Sequence, residues 1–119
     1  MLNQIILVGR LTRNIEVHES ENGVKVATIS IAVPRSFKNV DGVYDTDFID
    51  CVAFDSIATN TSDYCEKGDI VGIKGRIQTR EKEVDGVKEE IKEIIAEKVT
   101  FLSSKEKKHD NEPEPEMDM

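Results

Sequence analysis

The chain has 119 residues, of which 38% are hydrophobic and 34% are charged, and its formal net charge is −8. This length fits one domain with one small core. No stretch approaches the roughly 18 consecutive apolar residues of a membrane span, and residues 1–10 lack the features of a secretory signal. The acidic balance alone argues against a nucleic-acid binder, because phosphate neutralisation requires lysine and arginine.

Apolar patterning predicts strands in the first half of the chain. Residues 5–8 form a β-branched apolar run. Residues 24–33 alternate between apolar and polar, which is typical of a half-buried strand. The apolar face of this strand comprises Ala27, Ile29, Ile31 and Val33. Asp41-Gly42 is a turn signal, and residues 46–54 are the next predicted strand.

One segment predicts a helix. Residues 55–67 begin with Asp55 and Ser56, either of which is a suitable N-terminal cap, and Gly68 follows as a C-terminal stop. The residues expected on its buried stripe are Ile57, Ala58, Thr61, Tyr64 and Cys65.

The second half of the chain contains one ambiguous segment. Residues 70–80 predict a strand, and Asp85-Gly86 marks a hairpin turn. The four-residue apolar spacing in residues 88–102 suits an amphipathic helix, and the Glu and Lys content favours one. The turn instead favours a strand that returns along residues 70–80, so the residues themselves leave both structures open.

Several short strands with a single helix between the third and fourth predict an all-β barrel. The OB-fold is the five-stranded Greek-key barrel of this size. We expect this domain to span residues 1–104. Residues 105–119 carry three bases, six acids and the prolines Pro113 and Pro115. With so little apolar content, this segment is expected to be a disordered acidic tail.

The sequence shows no catalytic constellation. Gly72 and Gly75 lie in a strand pattern rather than in a phosphate loop, and His18 is best explained as an exposed loop residue among glutamates. Cys51 and Cys65 form no CxxC pair, and the histidines are too few for a four-ligand zinc site. We expect reduced thiols in a cytosolic, non-enzymatic protein that needs no metal or cofactor.

A basic strand face is the first candidate binding feature. Within residues 70–80 the alternation places Lys74, Arg76, Gln78 and Arg80 on one face. Basic side chains about 6–7 Å apart along a β-strand match the phosphate spacing of an extended single strand of nucleic acid. A solvated outer face explains the same run, and on this motif alone that explanation is favoured.

Aromatic residues shift this balance. Three of the six aromatics are Phe37, Phe48 and Phe54, and Phe37 is flanked by Arg35 and Lys38. Single-strand binders combine a positive groove with rings on which bases stack. Taken singly, Phe48 and Phe54 are better explained as core residues, whereas Phe37 beside two bases is not.

Together these segments resemble the bacterial single-stranded DNA-binding proteins. The similar segments, in the family's order, are residues 1–12, 26–33, 47–52, 67–69, 75–80 and 96–102. The resemblance implies an OB-fold with a strand at residues 88–102 and assembly as a homotetramer. It also implies sequence-independent binding of single-stranded DNA in the bacterial cytoplasm, at the nucleoid, during replication, recombination and repair.

The resemblance also assigns roles by position. It implies base stacking on Phe37, Phe48 and Phe54. The phosphate contacts that it implies are Arg10, Arg35, Lys74, Arg76 and Arg80, and Lys38 joins this set because it flanks Phe37.

Three departures from the family pattern qualify this prediction. Asp55-Ser56 stands where basic residues often follow the aromatic residue, here Phe54. Glu81-Lys82-Glu83 stands where an aromatic residue is common in the family. Both changes predict weaker binding. Family members usually end in an acidic run capped by Ile-Pro-Phe, which docks replication and repair proteins. This chain ends in residues 114–119 without a terminal aromatic, so partner recruitment by the tail stays open.

Two functions therefore remain. The first is single-stranded DNA binding, and the alternative is an OB-fold protein-interaction module with weak or lost DNA binding, which the acids at Asp55, Glu81 and Glu83 favour. Net charge does not decide between them. Residues 1–80 carry nine bases and eleven acids, a net of −2, so most of the acidic excess lies outside the segment that holds the candidate site.

Overall fold

The structure, a computed structural model, describes residues 1–103. Its elements are β1 Ile5–Leu11, β2 Val17–Glu19, β3 Lys25–Lys38, β4 Tyr44–Phe54, α1 Asp55–Tyr64, β5 Ile70–Val84 and β6 Val87–Ser103. Among these residues no helix has both the length and the apolar character to cross a bilayer. The predicted tail, residues 105–119, lies outside the described part of the chain.

Five long strands close into a barrel. The strand order is β1-β5-β6-β4-β3-β2, and β1 also pairs with β3, which closes the ring. That closing contact joins Arg10 to Ala32, and β4 meets β6 in parallel where Val52 faces Ile95. The predicted all-β OB barrel with one short helix is confirmed, and β2 adds a short strand at the edge of β3.

Aliphatic side chains fill the barrel. Three of the four residues predicted on the inward face of β3, namely Ala27, Ile29 and Ile31, are fully buried. They pack with other buried residues, which include Leu11, Cys51, Ala53, Val71 and Ile73. Helix α1 covers the barrel with Ala58 and Thr61. Both cysteines are buried free thiols, as expected.

Residues 88–102 form a strand, not a helix. Strand β6 runs antiparallel to β5 from Val84 opposite Val87 to Ile70 opposite Ser103. Asp85 and Gly86 both have positive φ, 53° and 79°, as a two-residue type I′ hairpin turn requires. The turn and the long ladder that it starts override the helical propensity of the glutamates and lysines.

The helix is shorter than predicted and has different ends. It stops at Tyr64, and Phe54 in extended conformation precedes it as the N-cap with no side-chain hydrogen bond. Asp55 and Ser56 therefore do not act as caps, because the helix starts directly from the end of β4. Gly68 lies beyond the helix in the turn before β5, with φ 97°.

Two exposed hairpins continue beyond the barrel strands. Residues 34–46 of the β3–β4 hairpin are exposed except for Asn39, and residues 81–90 of the β5–β6 hairpin are all exposed. We call residues 34–47 the β3–β4 arm and residues 76–94 the β5–β6 arm. The second arm begins beside Gly75, where a Cβ atom would overlap the carbonyl oxygen of Ile95.

Candidate nucleic-acid interface

The outer faces of β3, β4, β6 and β5 form one continuous surface. Phe48, Val52 and Phe54 on β4 point away from the core, because side chains alternate along a strand and the neighbours Cys51 and Ala53 are buried. The strand pairings extend this surface over β3 on one side and over β6 and β5 on the other. We call it the outer face.

Every aromatic side chain of the protein lies at the surface. The exposed fractions are 63% for Phe37, 54% for Tyr44, 76% for Phe48, 38% for Phe54, 77% for Tyr64 and 44% for Phe101. The interpretation of Phe48 and Phe54 as core residues is therefore wrong. Burying an aromatic ring is strongly favourable, so rings left on two adjacent strands indicate a surface built to contact something. Four of the six rings lie on β3 and β4.

Arg10 lies in a lateral row with one of these rings. It pairs with Ala32 on β3, and Ala32 pairs with Phe48 on β4. Two strand spacings separate the first and last residues of this row, roughly 10 Å. A groove of about 310 Å³ runs beside it, lined in part by Arg10, Pro34 and Thr46. The guanidinium of Arg10 donates a 2.7 Å hydrogen bond to the carbonyl oxygen of Gly68.

Lys74 is exposed on β5, two residues before Arg76. It lies opposite Ile6 on β1 and opposite Lys98 on β6, whereas Arg76, beyond Gly75, lies opposite Ile95. The β5–β6 register shifts between Lys74 and Gly75, and the extra residue, Glu97, lies on β6. The alternation of Lys74, Arg76, Gln78 and Arg80 along β5 therefore continues through the shift.

The arginines of the β5–β6 arm, Arg76 and Arg80, belong to a network of side-chain hydrogen bonds and ion pairs. Arg76 donates a 2.7 Å hydrogen bond to Gln78 and its Nε lies 3.2 Å from a carboxylate oxygen of Glu97. Arg80 Nε donates to Glu93 at 3.1 Å, and the amide of Gln78 donates to the same carboxylate at 3.2 Å. Two of the predicted phosphate contacts are therefore already paired with acids.

The β3–β4 arm repeats this arrangement. Arg35 donates from Nε and Nη2 to the carboxylate of Asp47 at 3.0–3.3 Å, and Asp45 lies 3.8 Å from Nη1. The hydrogen bond to Arg35 lowers the pKa of Asp47, and that bond with the negative charge of Asp47 raises the pKa of Arg35. Lys38 lies over the Tyr44 ring, 5.7 Å from its centroid.

Sequence reasoning missed five residues of this surface. Tyr44 shares its strand parity with Phe48 and Phe54, so alternation alone was enough to find it. The acids Asp45, Asp47, Glu93 and Glu97 gave no such signal. Their pairing with arginines depends on cross-strand geometry, and in β5–β6 on a register shift beside Gly75.

Exposed rings with arginines and lysines beside them, on a small closed barrel, are typical of OB-fold proteins that bind nucleic acid. The sequence model of the Single-strand binding protein family matches residues 2–102. The chain belongs to this family.

Individual relatives agree with this assignment. The chain is 42% identical over 106 residues to single-stranded DNA-binding protein B of Bacillus subtilis, which covers 88% of this chain and 94% of the relative. It is 45% identical to single-stranded DNA-binding protein 3 of Listeria innocua, over 89% of this chain and 67% of the relative.

A solved structure shows the same fold. It is a deletion mutant of the single-stranded DNA binding protein from Thermus aquaticus, which superposes with a TM-score of 0.73 over 87% of this chain and 52% of that one. At 24% sequence identity this likeness establishes the shared barrel.

Proposed function

We propose that this protein binds single-stranded DNA without sequence preference, and that it protects and organises the strand during replication, recombination and repair. Family membership supports this function, and so do the names of its relatives. The observation that carries it is the exposure of all six aromatic rings, four of them on β3 and β4.

In the proposed complex, bases stack on the outer face and phosphates follow the basic residues around it. Phe37, Phe48 and Phe54 supply the predicted stacking rings, and Tyr44 joins them by its position. The phosphate contacts are Arg10, Arg35, Lys38, Lys74, Arg76 and Arg80. Stacking tolerates any sequence because every base presents a π-face, and each stack contributes about 1–3 kcal/mol.

The direct test is fluorescence anisotropy with labelled oligo-dT at two salt concentrations. We expect binding that weakens as salt rises, because phosphate contacts release condensed counterions. A hairpin duplex of equal length serves as the control and should bind more weakly, since its bases are already stacked. Failure to bind oligo-dT at low salt overturns the proposal.

The alternative function, an OB-fold protein-interaction module with weak or lost DNA binding, makes a different prediction for two arginines. Arg76→Ala with Arg80→Ala should weaken oligo-dT binding in a DNA-binding protein. A pure interaction module keeps its function in the same variant. Family membership does not favour this alternative.

We further propose assembly into a homo-oligomer, the homotetramer implied by the resemblance. The outward side of β1 exposes Ile6 and Val8, and Leu102 on β6 lies close enough to contact a Cβ placed at Gly72 between them. Residues 5–9 of β1 pair only with β5, so their other edge is free among the described strands. An apolar patch beside an open strand edge suits a second copy of the same chain.

The remaining proposals concern organisation and place of action. The domain is proposed to span residues 1–104 and to act in the bacterial cytoplasm, at the nucleoid. A binding role without catalysis is supported by the surroundings of the reactive groups. Cys51 and Cys65 are buried. His18 is exposed, and among the described ion pairs its one partner is Glu16, at 3.8 Å.

A further inference from the structure

Three of the four arginines proposed to contact phosphate already lie at ion-pair distance from carboxylates. Among residues 1–103, Arg35 lies 3.0 Å from Asp47, Arg76 lies 3.2 Å from Glu97 and Arg80 lies 3.1 Å from Glu93. The pairs differ in accessibility. The side chain of Glu93 is only 15% exposed and also accepts from Gln78, whereas those of Asp47 and Glu97 are about half exposed.

Carboxylate and phosphate use the same donors of a guanidinium. Both present two oxygens that match the planar fork of arginine. The Asp47 carboxylate occupies this fork on Arg35 with contacts to Nε and Nη2. A phosphate that takes the same two donors must displace Asp47, because one edge of the guanidinium accommodates one such partner.

We propose that Asp47 and Glu97 are internal competitors of DNA phosphate for Arg35 and Arg76, and that they lower the affinity of the outer face for single-stranded DNA. This inference rests on the proposed function. It proposes that the DNA affinity of that site is lowered by ion pairs that Asp47 and Glu97 form in the free protein. Glu93, held by Gln78 and largely buried, keeps a structural role in the β5–β6 arm.

The opposite role is physically reasonable and makes the opposite prediction. A carboxylate that holds an arginine in a fixed orientation prepares it for a ligand, so its removal weakens binding. A competing carboxylate has to be displaced, so its removal strengthens binding. Substitution by the isosteric amide separates these roles, because Asp47→Asn keeps the shape and removes the charge.

The central experiment compares the dissociation constant for oligo-dT of the wild type with that of Asp47→Asn. We expect about two- to fivefold tighter binding, the range that corresponds to an exposed ion pair. Asp45 lies 3.8 Å from the same guanidinium, so we expect it to replace Asp47 in part as the partner of Arg35. The gain is therefore expected to be larger in the Asp45→Asn, Asp47→Asn double variant.

A matched control separates the ion pair from the general effect of removing a negative charge. Asp41 lies in the turn of the same arm and takes part in none of the described ion pairs. Asp41→Asn should give a smaller gain than Asp47→Asn. In an Arg35→Ala background, the Asp47→Asn gain should fall to the Asp41→Asn level, because no arginine is left to release.

The second pair provides an independent check. Glu97→Gln should tighten binding, with Glu90→Gln as its control on the same strand, since Glu90 faces Glu81 rather than a base. The gains should be largest at low salt, where the internal ion pairs are strongest.

Two results overturn the inference while leaving the proposed function intact. One is oligo-dT binding by the wild type together with equal or weaker binding by Asp47→Asn. The other is an Asp47→Asn gain that persists unchanged in the Arg35→Ala background. If the wild type itself fails to bind oligo-dT, the proposed function is what fails.

Discussion

Phe48 is the most exposed ring on the outer face, and it lies opposite the small Ala32 on β3. An apolar ring in water contributes little to the folded state, so its loss should affect binding far more than stability. Phe48→Ala is expected to weaken oligo-dT binding about fivefold to more than a hundredfold, the range for one lost stack. Isothermal titration or anisotropy provides the measurement.

The matched control for this substitution is Tyr64→Ala. Tyr64 is equally exposed, at 77%, but it lies at the end of α1 and not on the outer face. Its removal should leave oligo-dT affinity unchanged. Equal losses in both variants would show that the outer face is not the binding surface.

The Cys51 thiol makes stability depend on alkaline pH. Burial, with a smaller effect from Asp50, raises its pKa from 9.0 to about 11. Between these values the unfolded chain has lost a proton that the folded chain keeps, so the free energy of unfolding should fall as pH rises from about 9 to about 11. Urea titrations across this range should show a shallower fall for Cys51→Ala. Parallel curves for the two proteins would contradict the raised pKa.

Individual residues were unequally predictable from the sequence. The exposure of Phe37 was predictable from its basic neighbours Arg35 and Lys38, and the structure exposes it. Taken singly, Phe48 and Phe54 looked like core residues because their type is usually buried, and only the family resemblance assigned them to base stacking. Closure of the barrel decides which strand face is inside. The carboxylates on the arginines escaped detection, since ion pairs across strands depend on register and side-chain conformation.

At the scale of elements, Gly75 is the point on which the β5–β6 arm depends. A Cβ there would overlap the Ile95 carbonyl oxygen and lie 3.0 Å from its carbon, both backbone atoms. Gly75→Ala should therefore lower the free energy of unfolding by about 1–3 kcal/mol or more. Thermal denaturation provides the measurement.

Gly72, three residues earlier on the same strand, is the control. A Cβ at Gly72 meets only side-chain atoms of Leu102 and Val8, at 3.6 and 3.9 Å, which is ordinary contact. Gly72→Ala should change the midpoint much less than Gly75→Ala. Similar midpoints for the two variants would mean that β5 and β6 separate easily at the register shift beside Gly75.

Strands and turns were easier to predict than the ends of the helix. The type I′ signal of Asp85-Gly86 correctly indicated a hairpin, and it decided the structure of β6 against the propensity of its residues. The prediction of Asp55 or Ser56 as the N-terminal cap of α1 was wrong because the helix continues directly from β4. A capping side chain acts where a loop enters a helix, and no loop precedes Asp55.

At the scale of the whole molecule, the proposed oligomer depends on the outward side of β1. Val8→Glu places a charge in the exposed apolar patch beside Leu102 and should dissociate the assembly, because a buried unpaired charge is costly. Multi-angle light scattering should report a smaller species. Val40→Glu, at an exposed position in the β3–β4 arm, should leave the mass unchanged. A monomeric wild type, or an unchanged mass for Val8→Glu, would contradict this interface.

The surface position of the rings also determines how the protein can be observed. The chain has no tryptophan, and its two tyrosines, Tyr44 and Tyr64, are both in contact with solvent in the folded state. We therefore expect intrinsic emission to change little when the barrel unfolds. If DNA occupies the outer face as proposed, a base stacked near Tyr44 should quench its emission, whereas Tyr64 on the helix should not respond. We expect the fluorescence of this protein to report on occupancy of the outer face better than on folding.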